Sequence, residues 1–576
     1  MPQPIRLGDA FKGYTFDLDK LVTPEETIAL VRERLGRLDL RILKDTVRID
    51  SGRLDIPVYI SRVDVDAMRV MPTRKQMGKG ATPAQAEASA LMELMERFSF
   101  FSFLEEGPLT LSTAREVGDG ALPFDYLRRS LFDDSPEAGI AAGLYPDWPL
   151  FFAPATNLTT GAAVQLPFHW FYLIEEYNGP AAGNCREEAL LQGICEVVER
   201  HVGSVISHDR RPTPVIDPDS ATDPAVQEML GKFRKNGIKL FVRDFTMDMG
   251  IPSVGVLAYD PATFPQQSEI VFTVGTTTSP EKSLSRALSE VAQLAGDFHQ
   301  RTSYRPTLPK YAGLEEAAYL MTDGPAIPLR SLPDVSHENL AEEIRRCLRA
   351  LSARGLEVLA VETTHPRLEV PAVYVLIPGT HFLERTRHTN VVFHLAKTAA
   401  LYAPPPAARQ ALARLGATFP RRFDVEFFQG VTLENLEMPG EALGHFQKAL
   451  DLNPPEHEVA SIYVHLGSCR KDLGQYDEAA AHLLRARELN PALKEAHHLL
   501  GFCHFKKGEY EQAVSCFERA IELDPGSGID YANLGVNLAR LGHAREAAYV
   551  LRQALELDPS LEFARQVLTE VEGGKG

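Results

Sequence analysis

The sequence predicts two domains of different fold class, an α+β domain over residues 1–425 and an all-α helical solenoid over residues 430–576. Before residue 430, β-branched runs bounded by glycine or proline alternate with amphipathic helical stretches, which is typical of mixed α and β domains. After residue 430, small residues and prolines recur at a fixed interval, which indicates stacked helical repeats. The 576 residues, of which 44% are hydrophobic and 24% charged, are enough to build both domains.

Six segments of the first domain are predicted to be strands because they combine β-branched residues with flanking turn residues. These segments are residues 56–63, 240–245, 254–259, 270–275, 356–362 and 373–378. The proline-rich segment 404–406 and the residues after Leu415 are predicted to lead into the solenoid.

The solenoid is predicted from six columns of residues that recur every 34 residues. The columns begin at Gly467, Gly474, Ala479, Leu483, Ala486 and Pro491. This period is typical of the tetratricopeptide repeat, in which small residues let two antiparallel helices approach closely. A partial copy precedes the columns by 37 residues, so we expect three full repeats, a degenerate leading helix and a lengthened turn around residues 455–459. Such stacks present a concave surface to an extended partner, with dimerisation or capping as the alternative role.

Composition narrows the classes of partner. The net charge of −18 argues against general affinity for nucleic acid or anionic membrane, because both require a cationic surface. The cysteines form no CxxC pair and no metal-type spacing, so we expect reduced thiols rather than a zinc site or a disulfide framework. No basic leader and no apolar run of roughly 20 residues occurs, which predicts a cytoplasmic protein without a membrane partner.

Three helical segments each carry a narrow polar stripe on an otherwise apolar surface. The first stripe contains Ser89, Glu93, Glu96 and Arg97; the second contains Gln192, Glu196, Glu199 and Arg200; the third contains Arg286, Glu290, Gln293 and Asp297. At about 100° per residue, the leading polar residue and both carboxylates of each of the first two stripes fall within a sector of roughly 60°. Because a helix that is apolar around most of its circumference is normally buried, we expect the stripes to face an internal cleft.

Convergence of the stripes would bring at least five carboxylates together. Buried like charges remain ionised only where cations compensate them. Carboxylate oxygens are ligands that Mg²⁺ prefers, and arginines suit phosphate oxygens. The threefold recurrence favours a metal–triphosphate site over the alternative, in which each stripe is a solvated face with pairing between residues four apart.

Two glycine-bearing segments, residues 78–80 and 178–184, precede the first two of these helices. We expect turns there, with backbone N–H groups and helix N-termini directed at the same cleft. Neither segment matches the Walker A or the Rossmann pattern, so the common nucleotide-binding folds are not indicated.

The order and separation of these motifs resemble the YcaO family over roughly residues 10–405. The resemblance includes the strings Ile56-Pro57-Val58-Tyr59 and Ile377-Pro378-Gly379. It implies an ATP- and Mg²⁺-binding α+β domain that is unrelated to P-loop proteins. Many relatives have a serine two positions before the Gly-Lys-Gly string, where this chain has Gln76.

Carried over to matching positions, the resemblance implies two sets of site residues. The implied metal-binding and catalytic carboxylates are Glu93, Glu96, Glu196, Glu199 and Glu290. The residues implied to contact ATP are Lys79, Ser89, Arg97, Asn184, Gln192, Arg200 and Arg286, of which Arg286 is also implied to be catalytic.

The resemblance also implies the reaction, in which ATP phosphorylates a peptide backbone amide oxygen before a nucleophile displaces phosphate. Thioamide formation on a protein or peptide is expected first, because Tyr14-Thr15 and the string 24–27 resemble thioamide-associated relatives. The repeats instead resemble those of an ATP-binding accessory protein that assists methylthiolation of a small-subunit ribosomal protein. An azoline-forming cyclodehydratase is a third alternative, although the PxPxP tail common in those relatives does not occur. The implied partners are a peptide or protein substrate and a sulfur-delivery or modifying protein on the repeats; a homodimer is also open.

Overall fold

The computed structural model describes residues 4–13, 20–299, 308–381 and 389–573. The chain divides into two compact units, Met1–Val391 and Val392–Gly576. The first unit mixes helices with sheets and the second is helical, which confirms the predicted fold class. The predicted domain boundary between residues 425 and 430 stays a prediction. Tyr14 and Thr15, on which part of the expected thioamide chemistry rests, lie outside the described residues.

The strands of the first unit form three sheets. Their bounds are β1 (Leu43–Arg48), β2 (Val58–Val63), β3 (Lys75–Lys79), β4 (Thr110–Ser112), β5 (Leu150–Asn157), β6 (Ala162–Pro167), β7 (Pro180–Ala182), β8 (Val215–Asp217), β9 (Lys239–Asp244), β10 (Ser253–Tyr259), β11 (Val271–Thr276), β12 (Ala326–Pro328), β13 (Leu359–Glu362) and β14 (Ala372–Leu376). The three-stranded sheet has the order β1-β2-β3 and the five-stranded sheet the order β11-β10-β9-β8-β12. The six-stranded sheet has the order β4-β5-β13-β14-β7, with β6 paired to β5.

All six predicted strands are confirmed to within a few residues, as β2, β9, β10, β11, β13 and β14. Strand β3 was not predicted because its sequence, Lys-Gln-Met-Gly-Lys, contains no β-branched residue. Its pairing with β2 joins Val58 to Lys79 and Tyr59 to Gly78.

The helices of the first unit include the three that carry the polar stripes, α3, α8 and α10. The bounds are α1 (Pro24–Gly36), α2 (Ala67–Val70), α3 (Pro83–Glu106), α4 (Ala114–Val117), α5 (Phe124–Ser130), α6 (Pro136–Ala141), α7 (Phe168–Glu175), α8 (Arg186–Asp209), α9 (Pro224–Lys235), α10 (Pro280–Ala295), α11 (Ala318–Met321) and α12 (Leu340–Ser352).

Each stripe helix packs on one sheet and also contacts the next. Helix α3 covers β2 and β3 of the three-stranded sheet and reaches β7 of the six-stranded sheet. Helix α8 covers β14 and β7 and reaches β11 of the five-stranded sheet. Helix α10 covers β11 and β10 and reaches β3, which returns to the three-stranded sheet. Each of the three helices therefore bridges two of the three sheets, and together these contacts close a cycle.

The apolar faces of these helices are buried, as the sequence predicts. Leu91, Leu94 and Met95 of α3 pack in one core together with Val63 of β2. Leu288 and Val291 of α10 belong to another core, which also contains Val254 and Val256 of β10. Because the apolar sides of α3 and α10 are buried in these cores, their polar stripes face away from the cores.

Glycines allow strands to lie directly against two of these helices. A Cβ atom at Gly78 of β3 would fall 2.1 Å from Ala90 N and 2.2 Å from Ala86 O of α3. A Cβ atom at Gly275 of β11 would fall 2.2 Å from Ser283 O of α10. The expectation of a glycine turn over residues 78–80 is therefore wrong for Gly78 and Lys79, which lie in a strand that needs glycine for close packing.

The expected place of Asp297 on the α10 stripe is also wrong. Helix α10 ends at Ala295, and Gly296 adopts a left-handed conformation with φ of +52°. Asp297 then turns away from the helix axis and accepts hydrogen bonds from Ser51 N, at 2.5 Å, and from Leu54 N, at 3.4 Å. It therefore holds the loop before β2 rather than the charged site.

The second unit consists of helices. Their bounds are α13 (Val391–Tyr402), α14 (Pro405–Thr418), α15 (Phe423–Asn435), α16 (Pro439–Asp451), α17 (Glu456–Asp472), α18 (Tyr476–Leu489), α19 (Lys494–Lys507), α20 (Tyr510–Leu523), α21 (Gly528–Arg540), α22 (Ala544–Leu557) and α23 (Glu562–Gly573).

Helices α17 to α22 form the three expected repeat pairs. The expectation of a lone leading helix is wrong, because α16 packs against α15 as a further pair. Gly430 of α15 approaches Phe446 as Gly467 of α17 approaches Leu483. The expected insertion lengthens a helix rather than a turn, since α17 spans 17 residues and α19 spans 14.

Among the described residues, no helix combines the length and the apolar character that crossing a membrane requires.

Candidate functional site

Charged side chains of β3, α3, α8 and α10 come together where the three helices converge. Lys79 Nζ of β3 lies 2.5 Å from Glu290 Oε2 of α10. Arg286 Nε, one turn earlier on α10, lies 2.8 Å from Glu199 Oε2 of α8. These two contacts join three elements that are far apart in sequence, so the predicted convergence of the second and third stripes is observed.

Two further Arg–Glu ion pairs each lie within a single helix. Arg97 Nε is 3.3 Å from Glu96 Oε1 on α3, and Arg200 Nη2 is 3.7 Å from Glu196 Oε1 on α8. Arg97 also donates to the carbonyl oxygen of Tyr177, at 3.0 Å, in the loop before β7. That bond brings the α3 stripe to the segment that leads into α8.

Two glutamines complete the contacts between the elements. With the Gln192 amide oriented so that its oxygen faces Arg286, the two terminal guanidinium nitrogens donate to it at 3.1 and 3.3 Å. Gln293 Nε2 donates to Met77 O of β3 at 3.4 Å. Arg286 is thus held by two residues of α8, Glu199 and Gln192.

Burial dominates the electrostatics of the α3 carboxylates. Desolvation raises the pKa of Glu93, although Arg97 and Lys79 oppose it. Desolvation also raises the pKa of Glu96 well above its usual value, and the neighbouring charges of Glu196 and Glu93 add to this shift while Arg97 reduces it. Extra positive charge beside these two carboxylates would favour their ionised forms.

Glu290 differs from the α3 carboxylates because three cations surround it. Burial acts to raise its pKa, but Lys79, Arg200 and Arg286 together outweigh burial and lower it. Cations therefore compensate Glu290 well, whereas Glu93 and Glu96 are poorly compensated.

The donor set fits a magnesium–phosphate group. In the part of the chain that the structure describes, no three His, Cys, Asp or Glu side chains stand in metal-binding geometry; cations contact single carboxylates instead, Lys79 at Glu290 and Arg97 at Glu96. Glu199 Oε1 is buried without a hydrogen-bond partner among the described residues, which leaves one oxygen available to a ligand. Carboxylates suit Mg²⁺ and the intervening cations suit phosphate, so both halves of the group have donors here.

The remaining predicted residues lie at the margins of this cluster. Ser89 is half-buried one helical turn before Glu93 on α3. Asn184 precedes α8, and its bonds go to Thr27 of α1 and to Glu188. Gln76, at the position where many relatives have serine, is buried and donates to Thr73 Oγ1 at 2.5 Å.

The expected phosphate-directed helix N-terminus is not observed for α3. Its first turn is closed by a capping box, in which Thr82 Oγ1 accepts from Gln85 N and the Gln85 side chain accepts from Thr82 N. The second glycine segment, residues 178–184, contains strand β7 rather than a continuous turn.

Sequence reasoning missed three contributors to the site. Thr276 N donates to Glu199 Oε2 at 2.9 Å, and the Tyr177 carbonyl accepts from Arg97. Backbone groups of this kind leave no pattern in a sequence. Glu188 was also missed, although its spacing of four residues from Gln192 and eight from Glu196 places it on the same helix face.

Family profiles match both the first and the second unit of this chain. A profile of the family described as YcaO cyclodehydratase, ATP- and Mg²⁺-binding, matches residues 77–381. Profiles of the tetratricopeptide repeat match residues 467–508 and 495–527.

Individual proteins also resemble parts of this chain. An uncharacterized protein of Methanothermobacter thermautotrophicus is 29% identical over 385 residues, which are 62% of this chain and 94% of that protein. The ribosomal protein S12 methylthiotransferase accessory factor YcaO of Escherichia coli is 30% identical over 211 residues, which are 32% of this chain and 35% of that protein. A solved heterocyclase in complex with substrate and cofactor superposes with a TM-score of 0.52 at 24% identity, over 66% of this chain and 54% of the other. That likeness concerns the fold.

Proposed function

This chain belongs to the YcaO family, and from that membership we propose that it phosphorylates the oxygen of a peptide backbone amide so that sulfur can replace it. As a member of this family, the chain is an ATP-dependent enzyme whose cofactors are ATP and Mg²⁺. The convergence of carboxylates and cations from three helices at one buried place carries the proposal. Thioamide formation on a protein or peptide is the outcome we propose.

The side chains of the cluster divide into two roles. Glu93, Glu96, Glu196, Glu199 and Glu290 would hold Mg²⁺ through carboxylate oxygens. Lys79, Arg97, Arg200 and Arg286 would hold phosphate oxygens, with Ser89, Gln192 and Asn184 as polar contacts. Bound magnesium ATP supplies the phosphoryl group that converts the amide oxygen into a leaving group.

Arg286 is the residue best prepared for charge stabilisation. Its guanidinium is fixed by Glu199 at 2.8 Å and by the Gln192 oxygen, and Glu199 is itself fixed by Thr276 N. A cation that is already oriented costs little reorganisation when negative charge develops beside it. We therefore assign Arg286 to the transferring phosphoryl group.

The proposed conversion of the activated amide into a thioamide requires no side-chain nucleophile. On O-phosphorylation the amide nitrogen loses its proton; hydrosulfide then adds to the activated carbon, its proton passes to that nitrogen, the carbon–oxygen bond breaks, and phosphate leaves with the former amide oxygen. The thioamide outcome is supported by Thr27, part of a motif that resembles thioamide-associated relatives. Thr27 Oγ1 lies 3.1 Å from Asn184 Oδ1, so this motif contacts a proposed ATP-binding residue.

A direct experiment follows the oxygen and sulfur atoms. The purified full chain is incubated with ATP, Mg²⁺, sodium sulfide and a protein extract from cells that lack the chain. Mass spectrometry is expected to find a peptide in which one oxygen is exchanged for sulfur, and a synthetic version with ¹⁸O in that amide should transfer the label to inorganic phosphate. The Glu93→Gln variant serves as the inactive control. Failure of the unaltered chain to produce either the exchange or substrate-dependent phosphate would contradict the proposal.

A second candidate is an ATP-binding accessory protein. It is favoured by the similarity to the Escherichia coli accessory factor, together with the tetratricopeptide repeats. In that case ATP would bind, no amide oxygen would reach phosphate, and the chain would instead stimulate a separate methylthiolating enzyme.

We also propose that the repeats recruit a protein partner or the substrate, and that the protein works in the cytoplasm. The six cysteines are free, as a reducing compartment requires. A homodimer and a sulfur-delivery or modifying partner stay predictions.

A further inference from the structure

Glu188 lies on the polar face of α8 but takes no part in the charged cluster. It precedes Gln192 by four residues and Glu196 by eight, so helical geometry places all three in one sector. Its side chain is buried, with 3% of the residue exposed. A buried carboxylate needs strong hydrogen bonds, and the partners of Glu188 show what it does.

Both oxygens of Glu188 are occupied by N–H groups. Oε2 accepts from Asn184 N at 2.8 Å and from Asn184 Nδ2 at 2.9 Å. Oε1 accepts from Leu21 N at 2.5 Å, in the segment that precedes α1. Glu188 therefore binds Asn184 through both its backbone and its side chain, and it ties the N-terminal segment to the same point.

These contacts fix the orientation of the Asn184 amide. An ionised carboxylate can only accept, so the nitrogen of the amide must face Glu188 and its oxygen must face the other way. On that side Thr27 Oγ1 lies 3.1 Å from Asn184 Oδ1 and equally 3.1 Å from Thr23 O, so one hydroxyl hydrogen is shared between the two acceptors. The second N–H of the amide takes no part in these bonds and is a donor suited to a phosphate oxygen.

We propose that Glu188 is a positioning residue, which orients Asn184 for the nucleotide and couples residues 21–27 to the ATP site. The inference rests on the proposed function, in which Asn184 contacts ATP. Glu188 differs in role from Glu196, the proposed metal ligand on the same helix face, because N–H donors occupy both oxygens of Glu188. Thr27 supports the same orientation from the opposite side of the amide.

Glu187 provides a matched control. It is the neighbouring buried carboxylate, and its Oε1 accepts from Gly8 N at 2.8 Å, so it also binds the N-terminal segment. No contact joins it to Asn184 among those that the structure describes. A substitution at Glu187 therefore disturbs the N-terminal segment without disturbing the Asn184 amide.

The test measures binding of a non-hydrolysable ATP analogue with Mg²⁺ to the full chain by calorimetry. Glu188→Gln places an amide nitrogen against N–H donors and is expected to raise Kd about tenfold, the usual effect of leaving a buried donor unsatisfied. Glu187→Gln is expected to stay within about twofold. Equal effects of the two substitutions would overturn the positioning role and indicate only a structural one.

Thr27 offers a second route if Glu188→Gln does not fold. Thr27→Val removes the hydroxyl and is expected to raise Kd about threefold, whereas Thr27→Ser retains it and should restore the unaltered value. Where Glu188→Gln does fold, Thr27→Val combined with it should raise Kd by less than the product of the single effects, because both residues act through one amide. A Thr27→Val value equal to that of Thr27→Ser, or a multiplicative double variant, would overturn the inference. Absence of analogue binding in the unaltered chain would instead overturn the proposed function.

Discussion

Glu199 and Arg286 come from different helices and meet with 2.8 Å between Glu199 Oε2 and Arg286 Nε. The Glu199 side chain is only 1% exposed, and Thr276 N donates to the same oxygen. The other oxygen, Oε1, is buried and has no hydrogen-bond partner among the residues that the structure describes. This pair links α8 to α10 and leaves one acceptor ready for a cation.

Loss of a single cluster carboxylate should weaken Mg²⁺-dependent ATP binding. Glu93→Gln and Glu196→Gln each remove one proposed ligand charge while keeping side-chain size, so Kd is expected to rise at least about tenfold. Calorimetry with and without a chelator measures the effect, and the chelator should remove tight binding from the unaltered chain. Unchanged affinity in both variants would exclude these carboxylates from the metal site.

Gly78→Ala should destabilise the first unit strongly. The added Cβ would fall 2.1 Å from Ala90 N and 2.2 Å from Ala86 O, so strand β3 would have to separate from α3. We expect a loss of about 2 kcal/mol or more in the free energy of unfolding. Gly231→Ala is the control, because Gly231 is exposed in α9 with nothing within 4 Å of its Cβ position, and the helix should gain up to about 1 kcal/mol. Urea unfolding of both variants measures the difference, and equal stabilities would contradict the close approach.

Glu175→Gln should stabilise the protein more at high pH than at low pH. Glu175 ends α7 with 2% of its surface exposed, and its Oε2 has no hydrogen-bond partner among the described residues. Burial raises the pKa of Glu175 well above its usual value, so the folded state holds the proton more tightly than the unfolded state. The free energy of unfolding therefore falls as pH rises above the pKa that Glu175 has in the unfolded state. Glutamine is neutral at every pH, so the variant avoids this loss of stability.

The difference in stability between the two proteins should be larger near pH 8 and should nearly vanish below about pH 5. Urea unfolding of both proteins at the two pH values gives the comparison. A difference in stability that does not change with pH would show that Glu175 is ionised in the folded protein.

Alkylation of the folded protein should be slow at every cysteine. Five of the six thiols are buried and Cys185 is half-buried, with its pKa raised by burial to about 11. Burial raises the pKa of Cys503 to about 11 as well. Because the thiolate is the reactive form, native protein at about pH 8 should label slowly, and denatured protein should label at all six positions. Mass spectrometry of iodoacetamide-treated samples measures this, and a single fast-reacting cysteine would contradict the described burial.

Helical periodicity made much of the site predictable. Stripe residues such as Glu93, Glu196 and Glu290 repeat at intervals set by the helix itself, so their common face can be read from spacing alone. Strand positions were also predictable from local sequence, because β-branched runs such as the one in β11 mark strands directly.

Features that depend on two distant segments were not predictable. Nothing local distinguishes Gly78, whose need for glycine arises from the backbone of α3. Asp297 has the correct spacing for the α10 stripe, but the left-handed Gly296 ends the helix first. Helix α15 escaped the repeat pattern because its Gly430 precedes Gly467 by 37 residues instead of 34.

The cyclic packing of three helices on three sheets makes nucleotide affinity a measure of the folding of the whole unit. A fragment that lacked any one sheet would lose the support of one helix and, with it, the proposed site residues that this helix carries. Nucleotide binding would stabilise all three sheets together, because a ligand that binds only the native state shifts the folding equilibrium of the whole unit. Natural selection for tight nucleotide binding would then preserve packing in β10 or β14, far along the chain from any charged residue of the site.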